Sequence, residues 1–344
     1  MLLPRSALIT GAHARIRTGD LFLTKFRRAI SAETIYLRHR AFEGSTCSFG
    51  AARTLFLGAG VPFLLEDQGL QSDPGRQEVE MATSPPTSAA FRSPHDPIRV
   101  VPLRVEDTLV APAPGAPPSP APSLTYRGGP LLTAVQIFTF FWGAPWQVQP
   151  QAGLAQQINQ FFDFVVTSPL LDQMAEYSMP GNAVGHGAHI GTATLAAPAP
   201  GPSVADSAIQ QLIQQEISTN SAVPQPTPNS LYFLFLPPGV SVSLDGGSSC
   251  TTFCGYHNDI NGQIFYAVMP YPDCTGCSGA LTVLDAMTST SSHELCEAIT
   301  DPIPGQGWYD DNNGEIGDIC AWQTKQLGAY TVQLEWSNQA GSCI

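Results

Sequence analysis

Short apolar runs bounded by Gly and Pro recur through the C-terminal two thirds of the chain. Val135–Gly143, Leu231–Leu236 and Ile264–Met269 are rich in aromatic and β-branched residues and carry no charge. This composition predicts strands that are buried on both faces. Alternation over Tyr330–Trp336 predicts a closing strand, and Ile98–Val110 predicts either a strand or an extended lead-in.

Apolar residues at helical spacing lie between these strands. Leu154–Phe164 and Leu170–Tyr177 predict two helices separated by a break at Ser168-Pro169. Ser203–Thr219 predicts an amphipathic helix with capping residues near its start.

The most informative polar stretch is His293-Glu294-Leu295-Cys296-Glu297, within a pattern that predicts a helix ending at Asp301-Pro302. Because side chains at i and i+4 share one helix face, His293 and Glu297 point the same way and Glu294 lies beside them. Zinc peptidases place two metal ligands and a general base at this spacing, although the second ligand here is a carboxylate. The stretch therefore predicts a metal-binding active-site helix.

An acidic, glycine-rich block downstream supplies further candidates. Glu315 follows Glu297 by 18 residues, the distance at which gluzincin-type metallopeptidases place a third ligand, and Asp318 follows shortly after. We expect His293, Glu297 and Glu315 to hold a metal ion and Asp318 to orient His293. Glu294 is then the general base that takes a proton from the metal-activated water.

The expected metal is zinc (Zn), with manganese (Mn) as the alternative because two carboxylate ligands favour a harder ion. Since strands precede the helix and its ligand loop, the predicted fold is α+β: a zincin-like mixed sheet with an active-site helix, rich in loops and stapled by disulfides. A solvated acidic helix face with one incidental histidine is the alternative interpretation.

A second ion site is suggested by Asp310, Asp311 and Asn313, which could form a calcium (Ca) loop. The EF-hand template fails, because Tyr309 and Cys320 occupy its first and twelfth ligand positions. A calcium loop of another type stays open.

Three histidines outside the helix are further candidate ligands. His186 and His189 lie three residues apart in a glycine-rich stretch, a spacing that can bind metal but more often belongs to a loop or core. His257 either approaches the site through the neighbouring cysteines or has a structural role, and the structural role is preferred.

Six of the eight cysteines form an even set in loop-rich sequence: Cys250, Cys254, Cys274, Cys277, Cys320 and Cys343. Their parity predicts three disulfide bonds, with the pairing open. The short spacings between the first two and the next two also fit a second zinc site. Cys296, inside the predicted helix, is expected to be a small buried apolar residue.

Charge and composition limit the class of protein. A formal net charge of −13 argues against nucleic acid as a partner, and no apolar run is long enough to predict a membrane span. Only 12% of residues are charged while Gly and Pro number 31 each, which is typical of a loop-rich extracellular protein.

The basic residues are unevenly distributed, since ten of the 15 lie within residues 1–80. Residues 1–94 are expected to lack a stable fold. Residues 1–80 are interpreted either as a transit-type or pro-segment or, preferably, as translation upstream of a start at Met81. Residues 95–123 form an extended lead-in and a Pro/Ala/Ser linker. Residues 124–344 form the predicted metallopeptidase domain, which we expect to be monomeric.

Several motifs within about residues 125–344 resemble the Exordium, or phosphate-induced protein, family. They are Gly129-Pro130-Leu131-Leu132, Phe141-Trp142-Gly143, Phe253-Cys254-Gly255-Tyr256-His257, Cys274 with Cys277, Thr300-Asp301-Pro302, the block from Glu315 to Cys320, and Cys343. The plant members are secreted into the apoplast, are linked to growth and brassinosteroid responses, and lack the His-Glu pair. This chain carries the pair and so looks like the microbial branch, whose members resemble metallopeptidases.

The residues and the resemblance together predict an extracellular zinc-dependent peptidase acting on a peptide or protein substrate. Two alternatives stay open. One is a non-catalytic wall-associated or signalling protein of the Exordium type. The other is a domain with a closed structural metal site.

Overall fold

The structure is a computed structural model that describes residues 100–104 and 121–344. The expectations for residues 1–94 and for most of the segment 95–123 lie outside the described residues. Within the described part, the strands are β1 Val100–Pro102, β2 Thr125–Tyr126, β3 Gln136–Trp142, β4 Ala188–Leu195, β5 Ser203–Ala205, β6 Ser230–Phe235, β7 Ser241–Leu244, β8 Gly247–Ser248, β9 Phe253–Ile260, β10 Ile264–Met269, β11 Trp308–Tyr309, β12 Thr324–Leu327, β13 Tyr330–Gln333, β14 Trp336–Ser337 and β15 Ser342–Cys343. The α-helices are α1 Gln151–Val165, α2 Pro169–Met174, α3 Asp206–Thr219, α4 Thr275–Ser278 and α5 Val283–Thr300, and short 3-10 turns cover Ala144–Gln147, Ala175–Tyr177 and Asp318–Cys320.

A six-stranded mixed sheet in the order β1-β9-β10-β6-β3-β4 forms the centre of the fold. Strands β10, β6, β3 and β4 are parallel to one another, while β9 runs antiparallel to both β10 and β1. The predicted α+β class is confirmed. The uncharged runs assigned to β3, β6 and β10 are the central strands, as their composition predicted.

Both faces of the sheet are covered. On one face, Phe162 of α1, Leu171 of α2 and Ile299 of α5 belong to one apolar cluster with Phe233 of β6. On the other face, the apolar stripe of α3, including Ile213, packs with the alternate residues of the same strands. Helix α5 therefore lies between the sheet and the C-terminal segments, in the interior of the described chain.

The predicted helix Ser203–Thr219 is wrong in its first three residues. Ser203–Ala205 form β5, in which Val204 pairs with Val242 of β7, and the helix begins at Asp206. Pairing with a distant strand overrides local helix signals at this boundary. The Asp206 side chain does not cap the helix, because its carboxylate accepts hydrogen bonds from two buried tyrosine hydroxyls.

The predicted closing strand Tyr330–Trp336 is two strands, β13 and β14. The chain changes partner between them, because the Leu334 amide donates to the Gln323 carbonyl and the Glu335 amide donates to the Ile344 carbonyl. The alternation in sequence was therefore a correct signal for extended chain, but it did not show that one strand ends and another begins.

Three disulfide bonds join the six cysteines, as predicted: Cys250–Cys274, Cys254–Cys277 and Cys320–Cys343. Cys296 is free and buried. The cysteines proposed for a second zinc site are thus bonded to one another, which accounts for three of these sulfur atoms lying within 4.8 Å of one another. None of the described helices has both the length and the apolar character of a bilayer span.

Thiol titration tests the disulfide assignment. In denaturant, the unreduced chain should show six fewer reactive thiols than the chain after reduction, because six of the eight cysteines are in disulfides. Equal titration before and after reduction, accompanied by release of zinc on denaturation, would instead identify the second zinc site.

Candidate metal centre

Helix α5 carries the predicted site into the interior. It is capped at Thr282, whose hydroxyl accepts a hydrogen bond from the Asp285 amide, and every residue from Ala286 to Thr300 is buried. Strands β9, β10 and β13 and helix α1 pack around it. The alternative of a solvated acidic helix face is therefore wrong, since tertiary packing leaves this helix no exposed face over its last four turns.

One side of the centre is built around His293. Its Nε2 lies 2.9 Å from Glu297 Oε1, as expected for an i, i+4 pair. Its Nδ1 is hydrogen-bonded to the side-chain amide of Gln333 at 2.8 Å, and the same amide donates to the Gly317 carbonyl. Gln333 therefore fixes the imidazole so that Nε2 points towards Glu297.

Strand β9 brings a second histidine to the other side of the centre. His257 Nδ1 lies 3.1 Å from Glu294 Oε2 and 3.4 Å from Glu297 Oε2. Its Nε2 donates to the Asp301 carbonyl oxygen at 3.1 Å. A histidine whose second nitrogen donates to a backbone carbonyl presents the other nitrogen as a metal ligand.

The loop after β11 supplies the two predicted carboxylates. Glu315 is fully buried and its Oε1 lies 3.6 Å from His257 Nε2. Asp318 is half-buried, its amide donates to Glu297 Oε1 at 3.1 Å, and its carboxylate accepts from the Glu315 amide. The loop thus faces both histidines.

The structure sorts the predicted ligands into two groups that share Glu297. One group holds His257, Glu297 and Glu315, and the other holds His293, Glu297 and Asp318. Within each group, one nitrogen or oxygen atom per residue lies within 4.8 Å of the others. Glu315, expected beside His293, is grouped with His257, and Asp318 is placed as a potential ligand itself.

Several polar atoms of the centre have no hydrogen-bond partner among the described residues. They are Glu294 Oε1, Glu297 Oε2 and both carboxylate oxygens of Glu315, all in residues that are fully buried. Orphaned buried oxygens are rare, because each carries a desolvation penalty of about 1–3 kcal/mol or more. Residues of this chemistry, so arranged, fit a divalent metal ion.

Burial and charge shift the proton affinities of these groups. Burial raises the pKa of Glu315 well above its usual value, and nearby Glu297 and Asp301 raise it further. Burial would also raise the pKa of Glu297, but His293 and then His257 outweigh it and lower that pKa to about 2. Burial opposes the charged form of His257, yet hydrogen bonds to Glu294 and Glu297 raise its pKa to about 10.

The predicted calcium ligands make other contacts. Asp310 accepts hydrogen bonds from the backbone amides of Ser123, Asn312 and Asn313, which outweigh burial and lower its pKa. The Asp311 carboxylate is exposed and pairs with Arg127. Within the described residues these side chains form a turn, and they do not belong to either ligand group.

His186 and His189 do not come together at a metal. His186 Nε2 contacts Asp172 and His189 Nδ1 contacts Asp163, each at 2.8 Å. The two histidines therefore make separate hydrogen-bonding contacts with two aspartates, in agreement with the preferred loop or core interpretation.

From the sequence, a structural role was preferred for His257 over a role at the metal centre. Gln333 and Glu335 were not identified as site residues. His257 lies in β9, whose Gly255, Asn258 and Asp259 obscure the strand pattern. Glu335 is fully buried with two unpartnered oxygens, and burial raises its pKa well above the usual value. Its position after the alternating β13 gave no local sign of burial.

Comparison with known proteins makes no assignment: no family model, no curated protein and no solved structure matches this chain. The likeness to the Exordium family consequently rests on the short motifs, and the chemistry of the site carries the functional proposal.

The metal-free protein should lose stability as pH rises. Glu294 and Glu315 have raised pKa values in the folded state, so above about pH 4.5 the folded chain binds more protons than the unfolded chain. His257 adds stability that is fully present below its unfolded pKa near 6.5 and is lost as pH rises towards 10. Glu297 acts in the opposite sense, but only below about pH 4.5.

Thermal unfolding followed by circular dichroism checks this expectation. The melting temperature of the chelator-treated chain should fall from about pH 4.5 upward, and saturating zinc or manganese should reverse the slope, since metal ligands must be deprotonated. If the melting temperature of the metal-free protein rises over the same range, the raised pKa values of Glu294 and Glu315 in the folded state are contradicted.

Gly317 should not tolerate a side chain. A Cβ there would lie 2.8 Å from His293 Cγ and 3.0 Å from Glu297 Oε1, while the backbone φ of −79° suits any residue. Gly317→Ala should destabilise the fold by about 1–3 kcal/mol through overpacking and weaken metal binding. Gly185→Ala, where nothing lies within 4 Å of the added carbon, is the control. The control should keep the wild-type free energy of unfolding in urea and the wild-type metal content. If Gly317→Ala keeps both as well, close packing at Gly317 is contradicted.

Proposed function

We propose that this protein is a metal-dependent hydrolase that cleaves peptide bonds, with its centre at α5. The observation that carries the proposal is the position of Glu294. It is fully buried next to two groups of metal-ligand atoms, and its Oε1 has no hydrogen-bond partner among the described residues. A carboxylate held in this way is suited to accept a proton from a water molecule.

The residues that would hold metal are Glu297 with His257 and Glu315 on one side, and Glu297 with His293 and Asp318 on the other. A bound divalent ion would supply Lewis-acid chemistry and make a water molecule more acidic. Zinc is the first candidate. Manganese is the alternative, because carboxylate ligands outnumber imidazoles around Glu297.

Glu294 is the proposed general base. Burial raises its pKa, which strengthens it as a proton acceptor near neutral pH. In the metal-free protein, His257 Nδ1 contacts Oε2 at 3.1 Å, and Oε1 is the oxygen left without a partner among the described residues. The oxygen of the water molecule that Glu294 deprotonates would bond to the carbonyl carbon of the substrate, the C–N bond would break, and the proton held by Glu294 would pass to the leaving amine.

An extracellular setting and a peptide or protein substrate complete the proposal. Three disulfide bonds form and persist in oxidising environments, and cytosolic proteins seldom have them. The motifs around His257 and Glu315 resemble the Exordium family, and the His293-Glu294 pair looks like the microbial branch of that family, which agrees with a secreted metallopeptidase.

A closed structural metal site is the second candidate, and burial favours it. His293, Glu294, Glu297 and Glu315 are each 0% exposed, so a polypeptide substrate can reach the centre only if the surrounding segments open. Structural metal sites are closed, whereas catalytic sites keep a position for water. A non-catalytic protein of the Exordium type is compatible with this second candidate.

Replacement of Glu294 separates the two candidates. Glu294→Gln keeps the shape of the side chain and removes the base, so metal content should be unchanged while hydrolysis of a peptide library falls by about 10²–10⁴-fold. Elemental analysis and mass-spectrometric detection of cleavage products measure the two quantities.

Glu216→Gln on α3, which lies on the opposite face of the sheet, is the matched control and should retain full activity. A wild-type protein that binds metal stoichiometrically and cleaves no peptide, or a Glu294→Gln variant as active as wild type, would sink the peptidase proposal.

A further inference from the structure

Two groups of ligand atoms meet at a single carboxylate, that of Glu297. Resting on the metal centre proposed above, we infer that the centre holds two divalent cations bridged by Glu297. His257 and Glu315 would ligate one cation, and His293 and Asp318 would ligate the other.

The two oxygens of Glu297 face different imidazoles. Oε1 lies 2.9 Å from His293 Nε2, and Oε2 lies 3.4 Å from His257 Nδ1. Two ligands that share a tetrahedral ion at about 2.1 Å lie roughly 3.4 Å apart. A carboxylate that presents one oxygen to each of two ions is the usual bridge in two-metal hydrolytic sites, where the ions are about 3.5–4 Å apart.

Hydrogen bonds hold each imidazole in its own orientation. His257 is anchored through Nε2 to the Asp301 carbonyl, which aims Nδ1 at Oε2 of Glu297. His293 is anchored through Nδ1 to Gln333, which aims Nε2 at Oε1. The two rings are therefore fixed by separate elements, and each addresses a different oxygen of the same side chain.

Charge balance favours two cations over one. The carboxylates of Glu294, Glu297, Glu315 and Asp318 surround two imidazoles that bind metal in the neutral form, and none of the four pairs with a lysine or arginine among the described residues. Two divalent cations neutralise these four carboxylates, and the neighbouring buried Glu335 and Asp301 add further negative potential. One cation leaves two buried negative charges, which must then be removed by protonation or remain at a large desolvation cost.

In the part of the chain that the structure describes, atoms without a hydrogen-bond partner lie on both sides of the bridge. Both oxygens of Glu315 and Oε2 of Glu297 belong to the His257 side, and Nε2 of His293 lacks a well-aligned hydrogen bond on the other side. A single ion at His293 would leave the Glu315 oxygens without a partner. A single ion at His257 would leave His293 and Asp318 unused.

Metal loading of the full-length chain tests the inference. The protein is stripped with a chelator and titrated with Mn²⁺ alone, and separately with Zn²⁺ alone. Calorimetry and elemental analysis should find two ions per chain. Electron paramagnetic resonance of the Mn²⁺ form should show a spin-coupled pair in place of isolated ions.

Variants assign each ion to its group. Asp318→Asn and His257→Gln should each retain one ion and lose the coupling, while Glu297→Gln should lose both ions. Asp318→Asn removes a negative charge from a cluster of carboxylates, so this metal-free variant should keep the wild-type circular dichroism spectrum, and the same spectrum checks the folding of the other two variants. Asp163→Asn removes the carboxylate of an Asp–His pair outside the centre and is the control that should retain two coupled ions.

The outcomes separate this inference from the proposed function. One ion per wild-type chain overturns the two-metal centre and leaves the hydrolase proposal standing on a single ion. No ion in the wild type overturns both. Two ions without spin coupling overturn the shared bridge, and should a variant fail to fold, the stoichiometry and coupling of the wild type still decide the question.

Discussion

Several carboxyl groups and two imidazoles lie together in the interior of the protein. The contacts around them must offset the desolvation free energy of burying these groups. His293, Glu294, Glu297 and Glu315 are fully buried, and an unpaired buried carboxylate carries a penalty of several kcal/mol. Within residues 100–104 and 121–344, no lysine or arginine pairs with these carboxylates, so the imidazoles, protons or a bound cation supply the opposing charge. This requirement explains why a metal ion is the simplest account of the centre.

The sheet and the disulfides bring the opposing groups into place. Strand β9 lies beside β10, directly against α5, and this position carries His257 to the helix. The Cys320–Cys343 disulfide connects the end of the loop that bears Glu315 to the C-terminal strand β15. At Gly317, the loop approaches the imidazole so closely that a side chain does not fit. Stability and ligand geometry are consequently supplied by the same contacts.

Closure and catalysis make opposite demands on this centre. Exclusion of water strengthens every electrostatic interaction inside and raises the basicity of Glu294. A polypeptide substrate, in contrast, has to reach the same groups. The structure excludes water from Glu294, whose Oε1 has no hydrogen-bond partner among the described residues. A hydrolase therefore requires the segments around α5 to open for the substrate, whereas a closed structural site does not.

Local pattern was sufficient for the central strands β3, β6 and β10 and for one pair of site residues. The strands follow from continuous apolar runs and the His293–Glu297 pair from the helical period of 3.6 residues, and both are properties of adjacent sequence. The parity of the cysteines likewise predicted three disulfides without their pairing. Sheet order, by contrast, placed His257 opposite Glu294, and loop closure divided Glu315 and Asp318 between two histidines. These contacts join residues far apart in the chain, and only the packed structure decides them, because burial and charge depend on every neighbouring element at once.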